Sequence, residues 1–298
     1  MTPPPGGYIW WYVDALSDDG TYGITLIAFL GSVFSPYYAW ARRGGLADPV
    51  RHSALNVALY GREKRWTMTE RGAGAVQRGA DHLAIGPSSL HWDGNALTVQ
   101  IAEIGMPIPR RVRGTVRLYP SAVETRVQTL DSAGRHRWRP IGPCSRVEVK
   151  LEQPGISWSG PAYFDTNWGE RPLEDDFVLW DWGRAPLPDG TAVLYDLERR
   201  DGPMTLALRY KASGGVEDFE PPQSMELPKT GWRVRRRIGL GSPSVIETLE
   251  DTPFYARSIL GGEILCQPVT MMHESLDMNR FTMPMVQAML TCRMPRRG

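Results

Sequence analysis

The residues most able to do chemistry lie between Tyr163 and Trp182, where Asp165, Glu174, Asp175, Asp176 and Asp181 are interleaved with Trp168, Trp180 and Trp182. A carboxyl group held against aromatic rings loses hydration. Its acid form is then favoured, and it can serve as a general acid near neutral pH. Asp165, between Tyr163 and Trp168, is the first candidate. The run Glu174 to Asp176 reads instead as a solvated loop or turn, because adjacent like charges repel unless water screens them.

A second group of residues fits beside the first. In Gly134-Arg135-His136-Arg137-Trp138-Arg139-Pro140, His136 and Trp138 are two apart, as are Tyr163 and Asp165. On extended strands each pair shares a face. Two such pairs facing one another would make a pocket holding an imidazole, a carboxyl and two aromatic rings. Taken singly, each has a plain structural reading, since a strand tryptophan is normally core and a Gly-x-His turn is normally surface.

Other chemistries find little support. The sequence has no Gly-x-Gly-x-x-Gly after a strand, no phosphate-binding Walker loop and no His-Glu-x-x-His. It also has no Gly-x-Ser-x-Gly elbow. The histidines (His52, His82, His91, His136, His273) include no pair at metal-ligand spacing, so no metal site is expected. Net charge is +1, from 34 basic and 33 acidic residues, which gives nucleic acid no broad field to follow. The basic runs Arg110 to Arg113 and Arg233 to Arg237 read as wet strand faces. Cys144, Cys266 and Cys292 are widely spaced and odd in number, which suits a reducing compartment better than a disulfide framework. The Pro/Gly-rich start, Met1 to Gly7, lacks the pattern of a secretory signal.

The elements that must position these residues are mostly strands. Leu97 to Ile104, Val112 to Leu118, Arg146 to Glu152 and Met204 to Lys211 alternate with period two. Asp189-Gly190 and Asp201-Gly202 supply the positive φ angles of tight hairpins, so residues 189–211 read as a meander. With 31 glycines and 25 prolines, long helices would be broken repeatedly. Ser53 to Tyr60 and Met285 to Leu290 are the weak helical candidates. The uncharged stretch Thr21 to Ala41 is long enough to span a bilayer, but Gly31-Ser32 and Ser35-Pro36 divide it. It reads as a buried strand, a turn and an aromatic edge. The aromatic part, Phe34 to Trp40 with Tyr37 and Tyr38, is a candidate lip for substrate access and for peripheral membrane contact. The fold class is all-β, of sandwich or barrel type. A boundary near residues 155 to 160 gives domains of 1–157 and 158–298.

Several stretches together resemble the carotenoid 1,2-hydratase family, also called hydroxyneurosporene synthase. They are Gly6 to Asp14 (Gly-Gly-Tyr-Ile-Trp-Trp-Tyr-Val-Asp), Ser35 to Tyr38, Gly134 to Pro140, Tyr163 to Gly169 (Tyr-Phe-Asp-Thr-Asn-Trp-Gly) and His273 to Asp277 (His-Glu-Ser-Leu-Asp). The likeness runs from Gly6 to Arg297. It implies two lipocalin-like β domains, no cofactor, and addition of water across the terminal C1=C2 bond of acyclic carotenoids such as neurosporene and lycopene in phototrophic bacteria. By the same resemblance His136, Trp138, Tyr163 and Asp165 correspond to residues implicated in activity. Trp168, Trp180, Trp182, Tyr37 and Tyr38 are the expected substrate-binding residues. The partners implied are a carotenoid, water and a membrane surface touched from the cytoplasm. The chain starts almost directly at the first motif, without an N-terminal extension.

The expected mechanism is protonation of C2 by Asp165, a tertiary cation at C1 faced by Trp138, Tyr163 and Trp168, and water handled by His136. Two other readings use the same aromatic pocket: a carrier of a hydrophobic polyene, and a pericyclase-type cyclase. A glycosidase also pairs carboxylates, but the dry aromatic setting of Asp165 argues against it.

Overall fold

A computed structural model describes residues 2–45 and 47–297. The chain is all-β, with a few short helices, and divides into two compact units. The first comprises Met1–Pro172 with Gln287–Gly298, and the second comprises Leu173–Val286. The strand Ile156–Gly169, near whose start the sequence boundary was expected, belongs whole to the first unit.

The first unit is built on one curled sheet of thirteen strands. Its middle is antiparallel, with Tyr22–Leu30 beside Tyr8–Leu16, then Ile156–Gly169, His136–Gln153 and Arg111–Pro120. One face of this sheet is apolar: Val13, Leu26, Val57, Val116, Val149 and Phe164 belong to a single buried cluster. The other face carries Tyr8, Trp10, Tyr12 and Asp14 on the first strand, and Tyr163, Asp165 and Asn167 on its neighbour. The second unit is a seven-stranded antiparallel sheet with a two-stranded ribbon, Met225–Leu227 with Arg236–Ile238. Its core includes Leu194, Leu240, Leu260 and Met271.

The alternating segments are strands as expected, and the meander 189–211 pairs from Gly190↔Lys211 to Arg199↔Gly202. Met285 to Leu290 lies in the helix Pro284–Thr291. Three local expectations are corrected. Ser53 to Tyr60 is a strand, and it shows no alternation because both its faces are buried. Residues 36–43 form a helix instead of an aromatic edge: Pro36 opens it and the Ser35 hydroxyl accepts from the Tyr38 N–H at 3.2 Å. The acidic run is the expected turn, a helical one over Leu173–Asp176, but it is not solvated throughout, for Asp176 is buried. Among the described residues no helix is long and apolar enough to cross a membrane.

Candidate active site

Asp165 is only 3% exposed, on the strand Ile156–Gly169. Its Oδ2 accepts two hydrogen bonds, from the Tyr163 hydroxyl at 2.9 Å and from the Trp138 indole N–H at 2.8 Å. Strand geometry explains both. Tyr163 is two residues away on the same face. Trp138 stands opposite Asn167, one diagonal step from Asp165, within reach of a long aromatic side chain. Register irregularities of the kind bulges produce begin at Pro140, the residue opposite Asp165. Bulges often re-aim side chains beside functional sites. On the other side Tyr12 faces Asp165, its ring edge-on to Tyr163 at 6.3 Å. The Tyr12 hydroxyl donates to the buried carboxylate of Asp14 at 2.9 Å.

His136 is fully buried at the far end of the same face, opposite Gly169. Its Nδ1 and the Tyr8 hydroxyl share a hydrogen bond of 2.9 Å, and Tyr8 stacks on Trp10 at 4.9 Å. Gly169 is required here. A Cβ on it would fall 2.5 Å from the Tyr8 ring and 2.7 Å from His136 Nδ1. The His136 N–H donates to Asp131 at 2.8 Å. Burial works to raise the Asp131 carboxyl, but that bond and one from Arg135 hold it below the usual range.

The structure therefore gathers Asp165, Tyr163 and Trp138 into one hydrogen-bonded group and places His136 two cross-strand rows away. Trp168 lies on the opposite face, packed against the apolar core. Trp180 and Trp182 are buried in the second unit, with Trp180 edge-on to Tyr195 at 5.4 Å. Tyr38 is fully buried. Its hydroxyl donates to the Gly7 carbonyl at 2.6 Å and its ring lies 4.8 Å from His52. An exposed lip is therefore not a role open to Tyr38. Tyr37 is half-buried against Trp40, whose indole donates to Gln287 at 3.0 Å. Tyr8, Tyr12 and Asp14 were missed as site residues, although all three sit in the opening motif at the parity that puts them on one face.

The family model for carotenoid hydratase CrtC matches residues 26–298, a span that includes His136, Trp138, Tyr163 and Asp165. The chain belongs to the carotenoid hydratase family. It is 58% identical to an acyclic carotenoid 1,2-hydratase of Thiocapsa roseopersicina, over 99% of this chain and 74% of that one. Against the enzyme of the same name from Rubrivivax gelatinosus it is 54% identical, over 99% and 75%. Among solved structures, kievitone hydratase from Nectria haematococca aligns with a TM-score of 0.54 at 10% identity, covering 95% of this chain and 92% of that one. A Nitrosomonas europaea protein assigned as AttH aligns with a TM-score of 0.61 at 16% identity, covering 91% and 92%. At such identities the two structures speak for the fold alone.

This hydratase-family chain also holds a second buried carboxylate cluster, in its second unit. Asp181 accepts from the Ser275 hydroxyl and, at 3.3 Å, from the Arg237 N–H. His273 Nε2 lies 3.6 Å from it and 3.1 Å from the Arg237 carbonyl. The Arg237 guanidinium reaches Asp196 at 2.9 Å. Burial pushes Asp181 up to about 7 and His273 down to about 4. The run Arg233 to Arg237 is thus only in part a wet face: Arg233 and Arg235 are exposed, but Arg236 is buried and Arg237 points at two carboxylates.

Proposed function

We propose that this chain adds water to the terminal C1=C2 bond of an acyclic carotenoid of the neurosporene or lycopene type, with Asp165 as the acid. The observation that carries the reading is the pair of neutral donors on one oxygen of a buried carboxyl. With Tyr163 and Trp138 both donating to Oδ2, that oxygen is the acceptor in the acid form, and the proton is carried on Oδ1. As the proton leaves, negative charge develops on a carboxylate already met by two preorganised donors, so the conjugate base is stabilised without reorganisation.

The atoms balance simply. The Oδ1–H bond breaks and a C2–H bond forms, leaving a tertiary cation at C1. Aromatic rings on this face attract that cation, each worth roughly 0.5–2 kcal/mol when desolvated. Water oxygen bonds to C1 and its proton goes to the Asp165 carboxylate, directly or through solvent, restoring the acid. A positioned acid contributes about 10²–10⁴ in rate, so orientation and water exclusion supply the remainder. His136 stands four residues along the strand from Asp165, roughly 14 Å at about 3.4 Å per residue. That separation favours a role in positioning Tyr8 and this end of the face over the handling of water.

The test is mass spectrometry of the product formed from detergent-solubilised lycopene or neurosporene in deuterium oxide. Addition of one D2O, with a non-exchanging deuteron at C2, is expected. An isomer of unchanged mass would mean a cyclase. Substrate bound and returned unaltered would mean a carrier.

A further inference from the structure

The first unit contains a recess that this chemistry does not use. A cavity of about 350 Å³ opens among Trp11, Leu30, Trp92, Ile141 and Phe164, with Arg139 in its wall. Phe164 and Asp165 are sequence neighbours and so point to opposite faces of one strand. The sheet itself therefore separates this recess from the Asp165 site.

Arg139 is what gives the cavity a chemical preference. It stands opposite Thr166, and Trp11 stands opposite Thr166 on the far side, so the three form one row on the cavity face. The guanidinium is half-buried. Among the described residues it makes no ion pair, and its Nε is shielded from solvent with no hydrogen-bond partner. A cation drawn out of water without an acid is unfavourable, and an entering anion would relieve that. The planar guanidinium matches a carboxylate in two parallel hydrogen bonds. At the rim, Arg78 adds a second positive charge, and Asp81 is engaged by His82 at 3.3 Å and His91 at 3.9 Å.

We propose that this cavity binds a single-chain carboxylate amphiphile, its hydrocarbon chain among the aromatic and aliphatic walls and its carboxylate on Arg139. The volume lies near the lower end of small-molecule sites, about 300–1,000 Å³, and suits one alkyl chain rather than a long polyene. A carotenoid hydrocarbon has no group that Arg139 would recognise, so the two faces of the sheet take different ligands.

Isothermal titration of the full chain with dodecanoate, below its micelle concentration, tests this. Saturable one-to-one binding is expected, and dodecanol or methyl dodecanoate should bind about tenfold to a hundredfold more weakly for want of the charged hydrogen bonds. Arg139→Gln should erase that difference between acid and alcohol. Leu90→Trp, which places a larger side chain in the cavity wall, should abolish binding of both. Lycopene hydration by Leu90→Trp should stay unchanged, which separates this site from the Asp165 reaction. Equal affinity for acid and alcohol in the unaltered chain, undiminished binding in Leu90→Trp, or no saturable binding would each overturn the proposal.

Discussion

Two aspartates of this molecule look alike in sequence and differ in surroundings. Asp165 and Asp181 are both almost wholly buried on central strands, at 3% and 2% exposure, and both lie amid aromatic residues. Asp165 has its tyrosine two residues away, on the same face, and its Oδ2 takes neutral donors. Asp181 has its tryptophans one residue away on either side, so they occupy the opposite face. Its own face belongs to the core of the second unit, and there it meets Ser275, His273 and the Arg237–Asp196 pair. Spacing, more than aromatic content, separates a carboxyl walled by rings from one embedded in a polar core network. On the proposed reading the first is the proton donor to carbon, whereas the second is tied to Ser275 and lies beside His273 and Arg237.

Neutralising each aspartate in turn should have opposite outcomes. Asp165→Asn should lower turnover about 10²–10⁴-fold, the usual contribution of a positioned acid, with the protein still folded. Asp181→Asn should keep turnover within a few-fold, as read by product formation from lycopene. Normal turnover in the first variant, or collapse of activity in a folded second variant, would reverse the assignment.

The pH dependence of stability sharpens it further. Unfolded, the two side chains titrate near 3.8 and 6.5. Folded, burial leaves Asp181 near 7 and His273 near 4. Between about pH 4 and pH 6.5 the folded cluster keeps its proton on Asp181, whereas the unfolded chain keeps it on His273, so the two contributions offset. Removing one partner should expose the other. In His273→Gln the raised Asp181 remains, and stability should fall as pH rises from about 4 to 7. In Asp181→Asn the depressed His273 remains, and stability should fall as pH drops from about 6.5 to 4. The change across the window should be about 4 kcal/mol for the raised Asp181 and about 3 kcal/mol for the depressed His273, measured by urea unfolding at stepped pH. Slopes of the same sign in both variants would count against the shared-proton picture.

Two smaller effects probe the first site. Gly169→Ala should cost about 1–3 kcal/mol, because the new methyl would collide with Tyr8 and His136. Thermal unfolding reads this, and a wild-type midpoint would mean the pair moves freely. Tyr163→Phe removes one donor from Asp165 and should lower kcat about tenfold with little change in stability. An unchanged kcat would show that the hydroxyl does not support the carboxylate.

Much of the site was legible in the primary structure. Two-residue spacing put Tyr163 and Asp165 on one face, and His136 and Trp138 on one face, but it did not foresee that His136 stands apart from the carboxyl; the meander followed from its Asp-Gly turns. The misreadings have physical causes. Ser53 to Tyr60 hides its strand because burial on both faces erases alternation. Ser35-Pro36 reads as a break, although serine followed by proline is also how a helix begins. Arg233 to Arg237 looked wet because charge normally seeks water, and nothing local announces Asp181 and Asp196 as partners more than forty positions or so away in the chain.

Strand periodicity, the face each strand residue occupies and the family all follow from the primary structure, since they depend on local alternation and on residue identity. It also contained the reason Trp168 cannot share a face with Asp165, for parity alone decides that. Which faces meet depends on how the folded strands pair. That pairing brought Trp138 diagonally to Asp165, set Tyr8 against His136 across Gly169, put half-buried Arg139 in the wall of a recess and aimed Arg237 at two carboxylates. Cross-strand register is fixed by pairing between segments distant in the chain, and the energy of a buried charge depends on partners that only folding supplies.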